Sequence, residues 1–176
     1  MKVTHVEVNR APVLTLWAAV VAERMGFDSD EALTLGRGLA GLNAQSKGQS
    51  LGIFHPAEHK AERARERKPG ERILVQLLGR GVPAIRTEEG IRAVANDRPA
   101  DPASVQRYLE SKFGEHLDDV QGALRTLAKA FAPQELSEVG FGLYEKFRPE
   151  VPAGKKGWGA KGDLDLEKIR SLARAA

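Results

Sequence analysis

Apolar residues recur at helical spacing along much of the chain, and this pattern is strongest near the N-terminus. Residues 12–25 predict a helix that is apolar around most of its circumference, which is typical of a helix buried on several sides. Gly26 can end this helix in the left-handed conformation. Asp28 and Glu31 then form a capping-box pattern ahead of a second helix that reaches about Gln45. Together these signals predict an N-terminal helical hairpin.

The second predicted helix contains several glycines, each of which costs about 1 kcal/mol of helix stability relative to alanine. A glycine inside a helix usually marks the close approach of another backbone. Gly36, Gly38 and Gly41 therefore predict tight packing between the two helices of the hairpin.

The middle of the chain gives more ambiguous signals. Residues 57–68 contain charged residues and alanine but no apolar face, which predicts a solvated helix or a flexible arm. Residues 71–78 carry apolar residues that fit either a helix or a buried strand. Residues 82–94 predict a β-hairpin, because two apolar stretches flank a turn that ends at Gly90.

Helix start signals dominate the C-terminal part of the chain. Asp101 followed by Pro102 predicts one helix start, Leu117 lies near the next, and Pro133 begins a third. A short last helix is expected over residues 165–174, where apolar residues again follow helical spacing.

The expected fold class is mainly α with a minor β component. It consists of an N-terminal helical hairpin, a small β-hairpin in the middle and a C-terminal bundle of three to four helices. The corresponding segments are 1–54, 55–98 and 99–176, although one compact domain fits the same signals.

The 176-residue chain contains no cysteine, which excludes disulfide bonds, thiolate metal sites and thiol catalysis. No apolar run reaches the roughly 18–20 residues of a membrane span. The N-terminus also lacks the apolar core of a signal peptide. These features predict a cytoplasmic protein with no membrane partner.

A formal net charge of +3 is unevenly distributed, with a basic excess in the middle of the chain and near its C-terminal end. Basic side chains can neutralise phosphates, an indole can stack on a base, and glycine lets both approach. We therefore predict nucleic-acid contacts in segment 60–80 and loop 154–162. The predicted contacts are the basic and aromatic residues Arg63, Arg65, Arg67, Lys68, Arg72, Arg80, Lys155, Lys156, Trp158 and Lys161. Two other interpretations stay open: Trp158 could anchor its loop on the helices, and the middle charges could form a solvated surface.

Two kinds of motif match chemistry that their surroundings do not support. His55 and His59 fit the H-x-x-E-H pattern of inverted zinc peptidases, but Pro56 removes His55 from the helix that such a site requires. Both histidines remain weak metal candidates. Two G-x-G-x-x-G matches, at 36–41 and 157–162, lack the strand that precedes a dinucleotide-binding loop. We expect no cofactor and lean away from an enzyme, which would need a pocket that joins histidines to carboxylates.

A non-enzymatic binding protein is the function that these patterns favour, with DNA or RNA as the expected ligand. The alternative is a protein-interaction or self-assembly module without nucleic acid. This alternative rests on the first helical hairpin, whose apolar surface exceeds what one neighbouring helix can cover. The interaction surface predicted for it consists of Val13, Leu14, Trp17, Val20, Gly36 and Gly38.

Overall fold

The computed structural model describes residues 4–45, 69–95, 97–150 and 161–175. Its helices are α1 (Arg10–Arg24), α2 (Ser29–Gln45), α3 (Pro102–Phe113), α4 (Leu117–Lys129), α5 (Pro133–Phe147) and α6 (Leu166–Ala175). Its strands are β1 (His5–Val8), β2 (Arg72–Leu77), β3 (Arg80–Thr87), β4 (Gly90–Ala95), β5 (Arg98–Pro99) and β6 (Gly162–Asp165). A 3₁₀ turn over Gly114–His116 joins α3 to α4.

Two antiparallel sheets accompany the helices. β2, β3, β4 and β5 form a four-stranded sheet in that order, and β1 pairs with β6 in a second sheet. The fold is therefore α+β, and the prediction of a mainly α fold was wrong. No pattern in the sequence predicted β1, β5 and β6, because strands of four residues or fewer are too short for a period of two to stand out.

The stretch that fitted either a helix or a strand is strand β2. Ile73, Val75 and Leu77 are buried, whereas the residues between them are exposed or half-buried. A two-residue turn at Leu78 and Gly79, with φ values of 51° and 80°, connects β2 to β3. Positive φ at both positions is the conformation that matches the twist of a hairpin.

The predicted N-terminal helical hairpin is confirmed by α1 and α2, which pack along each other. Gly36 permits this packing, because a Cβ there would lie 2.4 Å from the backbone oxygen of Thr15. At Gly41 no described atom lies within 4 Å of such a Cβ, so the close approach predicted there is not found. α1 also contacts α3, α4, α5 and β2, which explains its apolar circumference. In its centre, Trp17 is fully buried and donates its indole N–H to the Gly140 carbonyl at 2.9 Å.

Helix α2 also contacts the inner face of the four-stranded sheet. A Cβ on Gly38 would lie 3.0 Å from the Val82 side chain and 3.1 Å from Ala93, so glycine lets the helix approach both strands. These strands, β3 and β4, confirm the hairpin predicted at 82–94. The opposite, outer face of the sheet holds the exposed Leu74.

The helix starts predicted after the middle segment are confirmed. Asp101 accepts a hydrogen bond from the Ala103 N–H at 3.1 Å, and α5 begins at Pro133. The C-terminal part also contains β6, which pairs with β1 from the other end of the chain. Buried residues from every helix and both sheets belong to one hydrophobic cluster. None of the helices in the described ranges is long and apolar enough to cross a membrane.

Candidate functional site

The outer face of the four-stranded sheet carries a mixture of apolar and basic side chains. Leu74 in β2 is 47% exposed, and the strand register sets it opposite the exposed Pro83. Arg72 lies opposite the half-buried Ile85, and its side chain is 59% exposed. Its guanidinium is 4.0 Å from the Asp97 carboxylate, a long, exposed ion pair that contributes little stability. Arg72 is therefore accessible to a ligand.

Arg72, Arg80 and Lys161 are the predicted nucleic-acid contacts that fall within the described residues. Arg72 and Arg80 lie at opposite ends of the β2–β3 ladder, where Arg80 is half-buried. Lys161 is exposed directly before β6, a strand of the other sheet. The other predicted contacts and the weak metal candidates lie outside the described residues: Arg63, Arg65, Arg67, Lys68, Lys155, Lys156, Trp158, His55 and His59.

The described residues that flank the predicted lysine-rich loop pair with each other. Glu150 and Asp163 exchange two backbone hydrogen bonds of 3.1 and 3.0 Å. Gly162 is required there, because a Cβ would lie 2.6 Å from the Glu150 carbonyl oxygen. The last glycine of the 157–162 motif match therefore has a structural explanation.

The interaction surface predicted from the sequence lies inside the protein. Its residues are buried or half-buried within the chain: Val13, Leu14, Trp17, Val20, Gly36 and Gly38. Other elements of the same chain, namely α3, α4, α5, β2 and the sheet beside α2, cover these positions. A partner could reach them only by displacing parts of the core.

One edge of the four-stranded sheet is protected by polar side chains of α2. Glu31 is 1% exposed, and its carboxylate accepts the Ile91 N–H of β4 at 2.9 Å. One turn later, the Thr34 hydroxyl accepts the Ala93 N–H at 3.0 Å. α2 thus supplies acceptors to β4 N–H groups that lie beyond the two residue pairs of β4 with β5. Asp28 and Glu31 also form the predicted capping box, with hydrogen bonds of 2.8 and 3.0 Å.

The sequence identified Glu31 only as a helix cap, and Thr34 and Leu74 received no role. The sequence contained a signal for Glu31 and Thr34. These two polar residues are three positions apart and lie on the face of α2 that also carries the apolar Leu35. For Leu74, the alternation of β2 indicates an outward side chain once the stretch is known to be a strand.

Described residues form two surface clefts. One, of about 640 Å³, opens where α2 and α3 begin and is lined by Asp30, Glu89, Arg92 and Asp101 among others. The other, of about 750 Å³, lies between α4 and α6. Neither cleft is lined by a histidine, and no three metal-binding side chains converge within the described ranges. Neither of these two clefts joins a histidine to carboxylates.

Arg92 is the most deeply buried charged residue of the first cleft, at 7% exposure. Its guanidinium donates to the Ile91 carbonyl at 2.9 Å and to the Glu89 carbonyl at 3.5 Å. The side chain therefore folds back onto the backbone of its own hairpin. These bonds give Arg92 a structural role at the protected edge of the sheet.

Burial raises the pKa values of two tyrosines. Desolvation raises the pKa of Tyr144 to about 12, against the opposing effects of Arg148 and Arg10. Desolvation also raises the pKa of Tyr108, against the opposing effect of Arg37. Both hydroxyls therefore stay protonated at neutral pH.

Comparison of the chain with models of protein families, with curated proteins and with solved structures found no match in any of the three. The function has to be argued from the surface features themselves.

Proposed function

We propose that the protein is a non-enzymatic nucleic-acid-binding protein. Its proposed contact surface comprises the outer face of the four-stranded sheet, the basic segment 60–80 and the loop 154–162. The observation that carries the proposal is Arg72, which follows the basic run of the sequence and leaves most of its side chain exposed on that face. A cytoplasmic location is part of the proposal, and the absence of cysteine is compatible with a reducing compartment.

The proposed mode of binding is led by electrostatics. Each Arg or Lys that neutralises a phosphate releases condensed counterions, so affinity falls as the salt concentration rises. Leu74 and Pro83 can contact sugars or bases next to Arg72. In its described part the outer face carries no aromatic side chain on which bases could stack. We therefore expect this face to bind with little sequence preference and any stacking to come from Trp158.

Fluorescence anisotropy with labelled single- and double-stranded DNA and RNA tests the proposal. If about four phosphates are neutralised, affinity should fall roughly 100-fold between about 50 and about 200 mM salt. Binding that does not respond to salt, or no detectable binding to any of these ligands, would contradict it.

The role of the sheet face is tested by Arg72→Ala, with Arg107→Ala as the control. Both arginines are exposed, but Arg107 belongs to α3. We expect Arg72→Ala to lower the salt dependence by about one phosphate contact, and Arg107→Ala to leave it unchanged. Equal effects of the two substitutions would show that the face has no special role and that net charge alone sets the affinity.

Tryptophan emission tests the loop separately. Trp17 is fully buried and hydrogen-bonded to Gly140, so a ligand at the surface does not touch its indole. A quench on adding nucleic acid that is lost in Trp158→Phe would support contact through the loop. Binding that leaves the emission unchanged would remove Trp158 from the proposed surface.

Protein binding is the second candidate function, and the exposure of Leu74 favours it. An apolar side chain that is 47% exposed in the middle of a strand can be covered by a protein partner. Apolar contacts differ from phosphate contacts in their response to salt. An affinity for a protein that persists at high salt, together with no affinity for nucleic acid, would favour this candidate over the first.

A further inference from the structure

We propose that two copies of this chain form a symmetric dimer by pairing their β2 strands along the open edge of the four-stranded sheet. This proposal concerns the strand edge, and it does not depend on nucleic-acid binding by the sheet face.

The direction of the hydrogen bonds shows which groups of β2 point away from its sheet. Arg86 of β3 donates its N–H to the Glu71 carbonyl at 3.0 Å, which fixes the phase of the β2–β3 ladder. Bonding direction alternates along an antiparallel strand, so the polar backbone groups of Arg72, Leu74 and Gln76 point outward. The described residues supply no hydrogen-bond partner to these outward groups.

The open edge lacks the features that commonly keep such edges apart. Natural edge strands are often very short, bulged, or interrupted by lysine or proline. β2 has six residues, and its pairs with β3 run without interruption from Arg72 to Leu77. Residues 73–77 contain no charged residue and no proline. An uncharged segment of this kind favours pairing with another strand.

The second copy is the occupant that the geometry of β2 fits. In an antiparallel pair centred on Leu74, that residue faces Leu74 of the second copy, and Arg72 faces Gln76. In this register, the outward backbone groups of Arg72, Leu74 and Gln76 are hydrogen-bonded on both copies. A register that places Arg72 opposite Arg72 pairs fewer positions and opposes like charges, which is unfavourable.

The side chains fit the same register. Leu74 is, with Val139, one of two large hydrophobic side chains that stand out as exposed among the described residues. In the dimer, Leu74 lies on the two-fold axis beside its equivalent, where the two side chains cover each other. Directly opposed residues of neighbouring strands have Cβ atoms about 5 Å apart, close enough for this contact.

Sedimentation analysis of the full chain over a range of concentrations tests the proposal, with Leu74→Lys as the variant and Val139→Lys as the control. The wild type should approach twice the monomer mass of 19.1 kDa at high micromolar concentration. Leu74→Lys should raise the dimer dissociation constant at least about tenfold, because it opposes two like charges on the axis. Val139 is similarly exposed but belongs to α5, so its substitution should leave the constant unchanged. A wild type that stays monomeric, or equal effects of both variants, overturns the proposal.

Disulfide cross-linking tests the register itself. The chain has no cysteine, so Leu74→Cys introduces a single thiol at the proposed axis. Directly opposed, hydrogen-bonded residues have Cα atoms about 5.5 Å apart, within the range that a disulfide spans. Leu74→Cys should therefore form a covalent dimer under mild oxidation. Gln76→Cys should not, because its equivalent lies several residues away along the partner strand, and equal cross-linking of both variants overturns the register.

Discussion

The two sides of the four-stranded sheet are treated in opposite ways. Where β4 extends beyond the short β5, Glu31 and Thr34 of α2 accept the backbone N–H groups of Ile91 and Ala93. At the β2 edge, the backbone groups beside Leu74 have no partner in the described part of the chain. The same kind of polar group is thus satisfied inside the fold at one edge and left to solvent or a partner at the other. The comparison shows that edge protection is a local property of each strand.

The protected edge depends on a match between helix and strand spacing. Residues three apart on a helix advance about 4.5 Å along its axis, whereas residues two apart on a strand advance about 6.7 Å. Glu31 has a longer side chain than Thr34, and the two side chains reach N–H groups two residues apart on β4. A glutamate followed three positions later by a threonine therefore suits two alternate N–H groups of one strand.

The largest effect is expected from Glu31→Ala, which opens the protected edge. It leaves the buried N–H of Ile91 and the part-buried N–H of Asp28 without their carboxylate acceptor, so the free energy of unfolding should fall by about 3 kcal/mol. Urea denaturation measures the change. Glu31→Gln is the control and should lose clearly less, because its amide oxygen still accepts a hydrogen bond. Equal losses for the two variants would contradict this account.

Gly36→Ala should weaken the packing of α2 between α1 and the sheet. The new Cβ would meet the Thr15 carbonyl at 2.4 Å, so we expect a loss of roughly 2–3 kcal/mol in the free energy of unfolding. Gly41→Ala is the matched control in the same helix. No described atom lies near its Cβ, and the substitution should stabilise the helix by about 0.5–1 kcal/mol. Thermal unfolding of both variants shows whether they move in opposite directions.

Thr34→Val removes one hydroxyl from the protected edge with little change of shape. The buried Ala93 N–H then has no acceptor from α2, which should cost about 1–2 kcal/mol. Thr34→Ser keeps the hydroxyl and should recover most of this loss. A stability of Thr34→Val equal to that of the wild type would mean that β4 does not need the helix at this position.

The smallest effect on monomer stability is expected at the open edge. Leu74→Lys, measured at low protein concentration, should change the free energy of unfolding by less than about 0.5 kcal/mol, because the side chain is exposed. Val75→Lys is the neighbouring control. Val75 is fully buried, so placing a charge there should cost several times more. A large loss for Leu74→Lys in the dilute monomer would show that this edge is covered within one chain.

The sequence predicted the elements whose signals are local. The cap at Asp101 and the capping box at Asp28 each depend on a few adjacent residues, and both are found. The turn predicted over Glu88, Glu89 and Gly90 is shorter by one residue, because Gly90 already belongs to β4 and pairs with Thr87. The sheet edge filled by Glu31 and Thr34 could not be read in this way, because Ile91 lies 60 residues from Glu31. Pairing between such distant segments leaves no periodic signal in either of them.

The candidate site was predictable only in part. The exposure of Arg72 agrees with its place after a polar run, but its position on a sheet depended on recognising β2 as a strand. The apolar circumference of α1 correctly indicates extensive burial. The prediction that a second molecule covers this surface does not follow from it. Composition alone does not distinguish a surface buried by the same chain from one buried by a partner.

The central position of α1 has a consequence for biosynthesis. This helix is synthesised before all the elements that cover it: α2 follows directly, but β2, α3, α4 and α5 come later in the chain. The hydrogen bond from Trp17 to Gly140 spans 123 residues of chain, so the nascent polypeptide carries an incompletely covered apolar helix until α5 has been synthesised. Such a segment is a target for chaperones that hold unfolded chains, and we expect the growing chain to depend on them more than the finished protein does.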